Sequence, residues 1–229
     1  MVLSATMLCK SFGEGAAAVG VLEDVSLSAS EGEFLAITGP SGSGKSTLLA
    51  LLAGLERPTS GEVWLAGRRL GGLADAEMAR LRRREVGFVF QTFNLVPVLS
   101  IEENAGLPFL LDGRPRREWA SRVREALRAV GLEHRAHHFP DQVSVGERQR
   151  TAIARAIAAR PRVLFADEPT GSLDSERGRV VLDLLRSAAS LGCAVVMVTH
   201  DPSAAARADR SVHLRDGRLE PSARREAAC

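Results

Sequence analysis

Residues 34–54 read FLAITGPSGSGKSTLLALLAG: a short apolar run, a glycine-rich loop, and a compact apolar stretch closed by Gly54. The run Phe34–Thr38 suits a strand buried on both faces of a parallel sheet. Thr47 to Ala53 suits a helix that Gly54 ends. Between them Gly39, Pro40, Ser41, Gly42, Ser43, Gly44, Lys45 and Ser46 fit the spacing G-x-x-x-x-G-K-[ST]. The strand–loop–helix setting is the one this spacing requires. Glycines at 39, 42 and 44 allow tight turns, so that several N–H groups face one chain of phosphates. The N-terminus of the helix that Thr47 enters adds its positive end. Lys45 gives a mobile point charge for β- and γ-phosphates, and Ser46 offers a hydroxyl to Mg²⁺.

Outward from this loop, two more apolar runs follow, Val163–Ala166 and Ala194–Val198. The first runs directly into Asp167 and Glu168. The C-terminal end of a buried strand faces the ligand crevice of an α/β sheet. Asp167 is therefore expected to hold Mg²⁺, and Glu168 to orient and deprotonate an attacking water. Helical patterns separate the runs. Trp119, Val123, Ala126, Leu127 and Val130 recur at helical spacing, and Thr151 to Ala159 continues a helix that Pro161 closes. Val25, Leu27 and Ala29 alternate with Ser26 and Ser28 as in a half-buried strand, with a glycine- and alanine-rich loop, Gly13 to Gly20, before them. This order predicts an α/β fold, a mainly parallel sheet with helices on both faces. Residues 92–159 contain no convincing buried strand and read as a mainly helical insertion, and 222–229 as a polar tail.

The composition narrows the classes. Thirty basic residues against 28 acidic give a net charge of +2, which argues against a nucleic-acid partner held by bulk charge. No apolar run approaches the roughly 20 residues needed to cross a bilayer. The start of the chain lacks the basic and apolar regions of a secretory signal. Cys9, Cys193 and Cys229 have no metal-type or disulfide spacing, which points to a reducing cytosol. Lys10 and Lys45 are the only lysines among the 30 basic residues, so a lysine here answers to something beyond generic charge. His134, His137 and His138, Arg82–Arg84 and the basic group Arg114 to Arg117 read as solvated surface.

Taken together, these residues resemble the nucleotide-binding subunit of an ABC transporter, from about Leu3 to Glu220. The resemblance implies one ABC ATPase domain over residues 1–229. Residues 1–90 and 160–220 would form a RecA-like P-loop NTPase core with an antiparallel β subdomain, and 92–159 the α-helical subdomain. ATP and Mg²⁺ are the implied ligands. Gln91, after the strand Val86–Phe90, resembles the glutamine that contacts Mg²⁺ and senses the membrane partner. His200 resembles the switch histidine at the γ-phosphate. Phe12 stands where an aromatic ring meets adenine. The segment Ser172 to Asp174 resembles the D-loop, with Asp174 carried over from it.

Val143-Ser144-Val145-Gly146-Glu147 occupies the place of the signature motif LSGGQ, which caps ATP held by the other subunit of a dimer. Leucine, the first glycine and glutamine are replaced. Val145 is β-branched and costly at positive φ. Either the local backbone accepts it and the site works, or closure is weakened and the protein is an ATP-binding regulator with little turnover.

The stretch Gly87 to Pro97, with Glu103-Asn104, Leu107-Pro108 and Ala166 to Gly171, resembles the lipoprotein-release and macrolide-exporter group. That likeness implies a homodimer of ATPases, peripheral on the cytoplasmic face of the membrane. It implies a permease with few helices and a large extracytoplasmic domain, and export or extraction of a lipoprotein, lipid, peptide or drug. A cell-division-type ABC ATPase stays open. A soluble ABC ATPase of DNA repair or translation lacks support, since no coiled-coil insertion or tandem cassette is present. A P-loop kinase leaves Gln91, Ser144 and His200 unexplained.

Overall fold

The computed structural model describes residues 1–13, 15, 18–171 and 173–220. Three positions of the Gly13–Gly20 loop (14, 16 and 17), Ser172, and the tail at 222–229 with Cys229 lie outside the described residues.

Two sheets form the frame. Strands β1 (Leu3–Phe12), β2 (Val19–Ala29), β4 (Ser60–Leu65) and β5 (Arg68–Arg69) make an antiparallel sheet in the order β2-β1-β4-β5. Strands β3 (Phe34–Thr38), β6 (Val86–Val89), β7 (Val163–Asp167), β8 (Ala194–Val198), β9 (Arg210–Arg215) and β10 (Arg218–Leu219) make a second sheet in the order β10-β9-β3-β8-β7-β6. Its ladders are parallel except β9 with β10.

Successive side chains of a strand point to opposite faces. In β3, Leu35 and Ile37 enter a core shared with α1 (Lys45–Leu52) and the antiparallel sheet, whereas Phe34 and Ala36 enter a second core. In β7, Val163 and Phe165 divide from Leu164 and Ala166 in the same way; in β8, Val196 and Val198 divide from Val195 and Met197. The second core is filled by α5 (Arg116–Ala129), α6 (Val145–Ala158) and α7 (Ser175–Ser190), through Trp119, Val123, Ile153, Leu185 and their neighbours. The unbroken apolar runs in the sequence are thus strands covered on both sides.

The remaining helices are α2 (Asp75–Glu85), α3 (Ile101–Ala105), α4 (Leu107–Leu111) and α8 (Pro202–Ala205). Among the described residues, 92–159 contain no strand. Two expectations need correction. The first helix begins at Lys45 rather than Thr47, because Gly44, at φ +98°, supplies the turn into it. A Cβ on Gly44 would also meet Leu22 and Val21 at 2.9 Å, so no other residue fits there without movement. The arginines at 82–84 and 114 do not form a free solvated face. Arg82 donates to the Gly54 carbonyl at 2.6 Å, and Arg83, Arg84 and Arg114 all pair with Asp112.

Asn104 shows what holds the connection leading into the helical insertion. It is fully buried at the end of α3. Its Nδ2 donates to the carbonyls of Val96, Leu99 and Ser100 at 2.9–3.1 Å, and its Oδ1 accepts from Val96 N at 2.7 Å. Asn104→Ala leaves Val96 N and the Leu99 carbonyl without their partner, while the Val96 and Ser100 carbonyls keep backbone donors. It is expected to cost about 2–4 kcal/mol of unfolding free energy, read in a urea titration. A cost under about 1 kcal/mol would mean that water replaces the amide.

Candidate active site

Because β3, β6, β7 and β8 are neighbours and parallel, their C-terminal ends deliver four segments to one edge of the sheet. From β3 comes the loop Gly39–Ser46, from β6 Gln91, from β7 Asp167 and Glu168, and from β8 His200.

The loop is built on glycines at positive φ. Gly39 (φ +149°) lies so close to β9 that a Cβ would sit 2.0 Å from the Leu214 carbonyl oxygen. Gly42 (φ +81°) instead rims open space, with nothing within 4 Å of the position of a Cβ. Lys45, only 8% exposed, turns back on its own loop and donates to the carbonyls of Gly39 at 2.9 Å and Pro40 at 2.7 Å. Pro40 and Ser41 are exposed, Ser43 is buried with an unpartnered hydroxyl, and Thr47 is half-buried in the first turn of α1.

Ser46 Oγ donates to Asp167 Oδ1 at 3.3 Å. Burial, above all, pushes the Asp167 carboxyl above its ordinary range. The Ser46 hydroxyl and the Lys45 ammonium oppose the shift, and the neighbouring Glu168 carboxylate adds to it. A hydroxyl and a carboxylate this close, short of positive charge, are hard oxygen donors suited to Mg²⁺. Glu168 takes a left-handed backbone, φ +44°, a strained conformation of the kind stored at functional sites. Its Oε1 accepts from His200 N at 3.1 Å and lies 2.7 Å from His200 Nδ1. Gln91 is exposed, and its Nε2 lies 3.7 Å from where a Cβ on Gly171 would be, over the turn that follows Glu168.

The loop after Gln91 is tied to α6. Arg155 of that helix donates to the carbonyls of Asn94 at 2.6 Å and Phe93 at 2.8 Å. No motif in the sequence drew attention to Arg155; only the fold places it beside the loop.

Ser144–Glu147 lie elsewhere on the same chain, at the N-terminus of α6. They open onto a cavity of about 460 Å³ that no residue of the Gly39–Thr47 segment lines. Ser144 caps the helix: its hydroxyl accepts from Glu147 N at 3.3 Å, and Glu147 accepts in return from Ser144 N at 2.8 Å. The Ser144 N–H, foremost, holds the Glu147 carboxyl below its ordinary range; burial opposes this, and the Ser144 hydroxyl and Arg135, 3.2 Å away, assist it. The backbone cost expected of Val145 does not arise. This valine is the first residue of α6, outside the positive-φ set, with its side chain 38% exposed. A helical N-terminus asks nothing of φ that valine resists. Asp174 caps α7 by accepting from Arg177 N at 2.9 Å. Arg177, unforeseen from the sequence, pairs with Asp174 at 3.3 Å and packs against Gly146, so it links the two segments. Phe12, at the end of β1, is 46% exposed. Among the described residues no three or more His, Cys, Asp or Glu side chains are grouped so as to hold a metal ion.

A protein-family model described as ABC transporter matches residues 22–171. The chain is 43% identical over 218 residues to an uncharacterised ABC transporter ATP-binding protein of Methanocaldococcus jannaschii, MJ1508, covering 95% of this chain and 97% of that one. Two solved structures of the ATP-binding cassette MJ0796 superpose with a TM-score of 0.87 at 40% identity, over 96% of this chain and 97% of theirs. One is described as a dimer, the other as a dimer in a post-hydrolysis state with ADP and Pi.

The raised carboxyl gives a pH test. Folded Asp167 holds its proton more tightly than the unfolded chain does. That contribution to stability is present below the ordinary carboxylate value and is lost as pH rises through the raised one. Asp167→Asn is therefore expected to raise the melting temperature of the nucleotide-free protein near pH 7. The gain should shrink as the pH falls toward about 4. No gain at either pH would contradict a buried, poorly compensated charge.

Proposed function

From the premise that this chain belongs to the ABC transporter family, we propose that it is the ATP-hydrolysing subunit of an exporting or extracting ABC transporter, working as a dimer under a membrane permease. The observation that carries the reading is the convergence of Lys45, Ser46, Asp167, Glu168 and His200 at the ends of three adjacent strands. In this reading the incoming phosphates replace the Gly39 and Pro40 carbonyls at Lys45, so the lysine trades two weak acceptors for charged ones. The loop N–H groups and the N-terminus of α1 complete the cradle. Ser46, Asp167 and Gln91 would hold Mg²⁺, which when bound offsets phosphate charge. Glu168 orients the attacking water and takes its proton. His200, now paired with Glu168, turns to the γ-phosphate and frees the carboxylate for that role. Catalysis rests on positioning and charge rather than a covalent intermediate.

Two sites of this kind need two chains. Within one chain, Ser144–Glu147 and the phosphate loop line separate spaces, and a second copy head-to-tail would bring the α6 N-terminus of one onto the nucleotide of the other. The dimers described for MJ0796 support this arrangement. Val145 in ordinary helical geometry carries no backbone cost, which supports a working site over a weakly active regulator. Among the described residues no helix is long and apolar enough to cross a membrane, which fits a peripheral subunit whose permease brings the spans. The stretches around Gly87–Pro97 and Ala166–Gly171 favour a permease of the lipoprotein-release and macrolide-exporter kind on the cytoplasmic face.

Glu168→Gln is expected to lower ATP turnover by about 10²–10⁴-fold while nucleotide binding persists. The same protein, tagged and recovered from detergent-solubilised membranes with MgATP, should bring a polytopic partner with a large outer domain. Unchanged turnover would remove Glu168 from its role, and recovery without any membrane partner would count against the transporter reading.

A further inference from the structure

Lys45 belongs to the phosphate loop, but the chain's other lysine has so far had no role. Lys10 lies on β1, 8% exposed. Its Nζ donates to Glu56 Oε1 at 2.9 Å and to the Arg57 carbonyl at 2.8 Å. The same atom stands 4.7 Å from the centroid of the Phe12 ring. Glu56 follows α1 closely and is fixed to it, its N–H donating to Ala50 at 3.2 Å. A short chain of contacts therefore runs from the helix carrying Lys45 and Ser46, through Glu56 and Lys10, to Phe12.

The chemistry of the ring makes this placement pointed. Both faces of an aromatic ring carry negative charge, which disfavours direct face-to-face stacking. An ammonium over one face is attracted to that charge, and more strongly when desolvated. It also draws π density toward itself, leaving the opposite face less negative and better suited to an electron-rich purine. Lysine rather than arginine fits because one compact ammonium must serve a carboxylate, a carbonyl and a ring in three directions. A guanidinium meets such a set only with its plane lying over the ring, as Arg186 does over Phe34 while it donates to Asp209 and to the Arg207 carbonyl. The smaller ammonium suits the buried position of Lys10 on β1.

We propose that Lys10 is a positioning residue for the nucleotide base: it orients and polarises Phe12 for adenine and, through Glu56, sets that ring's place relative to the phosphate loop. The proposal rests on the reading of Phe12 as the adenine contact.

The test is a double-mutant cycle read with two ligands, MgATP and Mg-tripolyphosphate, which lacks a base. Lys10→Met should weaken MgATP binding by about three- to tenfold in calorimetry, with tripolyphosphate binding changed by less than about twofold. In a Phe12→Ala background the same substitution should lose most of its effect. An equal loss for both ligands, or the same loss in both backgrounds, would assign Lys10 a merely structural role and overturn the proposal. If Phe12→Ala leaves MgATP affinity unchanged, the reading of Phe12 fails and the proposal with it. If Phe12→Ala weakens MgATP but Lys10→Met does not, only the proposal fails. Should Lys10→Met not fold, Glu56→Gln loosens the anchor without burying a new group, and must give the same ligand-selective pattern.

Discussion

Burial of both faces of one parallel sheet governs everything else in this protein. Alternate residues of β3, β7 and β8 are committed to two different cores, so a one-residue slip of any strand would exchange its entire side-chain set. The register Ile37–Val198–Asp167 across β3, β8 and β7 is therefore held by hydrophobic packing, not by the polar groups beyond it. That allows the polar groups to be poorly matched. Asp167 is buried beside Glu168, Glu168 bends into a left-handed backbone, and Lys45 leans on carbonyls. Each is unfavourable alone, and the apolar frame holds them a few ångströms apart.

The sequence disclosed most of this because its strongest signals are local. Phe34–Thr38 and Ala194–Val198 are strands over the full lengths of their apolar runs, and the glycines at 39, 42 and 44 all take positive φ. Elements with sparse signals were illegible. Strand β4 buries only Val63 and Leu65, β9 only Val212 and Leu214, and α2 only Met78 and Leu81. Charged side chains were misread for a related reason. Spacing along the chain does not show that Arg83, Arg84 and Arg114 converge on Asp112, 28 or 29 residues away for the first two.

The roles of Arg155, Arg177 and Lys10 illustrate what a motif search omits. Each reaches a distant segment: Arg155 the carbonyls of Phe93 and Asn94, Arg177 the backbone at Gly146, and Lys10 Glu56 and the Arg57 carbonyl. The sequence left a trace only for Lys10, by its rarity. For Val145 the opposite held: a departure from a familiar pattern looked costly until the local backbone proved to be an ordinary helix start, with Ser144 and Glu147 still capping each other.

The scarcity of lysine has a further consequence for the protein's covalent chemistry. Both lysines are only 8% exposed, Lys45 folded against the Gly39 and Pro40 carbonyls and Lys10 against Glu56 and the Arg57 carbonyl. The folded surface thus offers acylating agents and lysine-directed tagging enzymes no freely accessible ε-amine, while its positive charge is carried by guanidinium groups that such reagents ignore. Any ε-amine modification must first pull a lysine away from these contacts, so the labelling rate becomes a gauge of local opening around β1 and the phosphate loop.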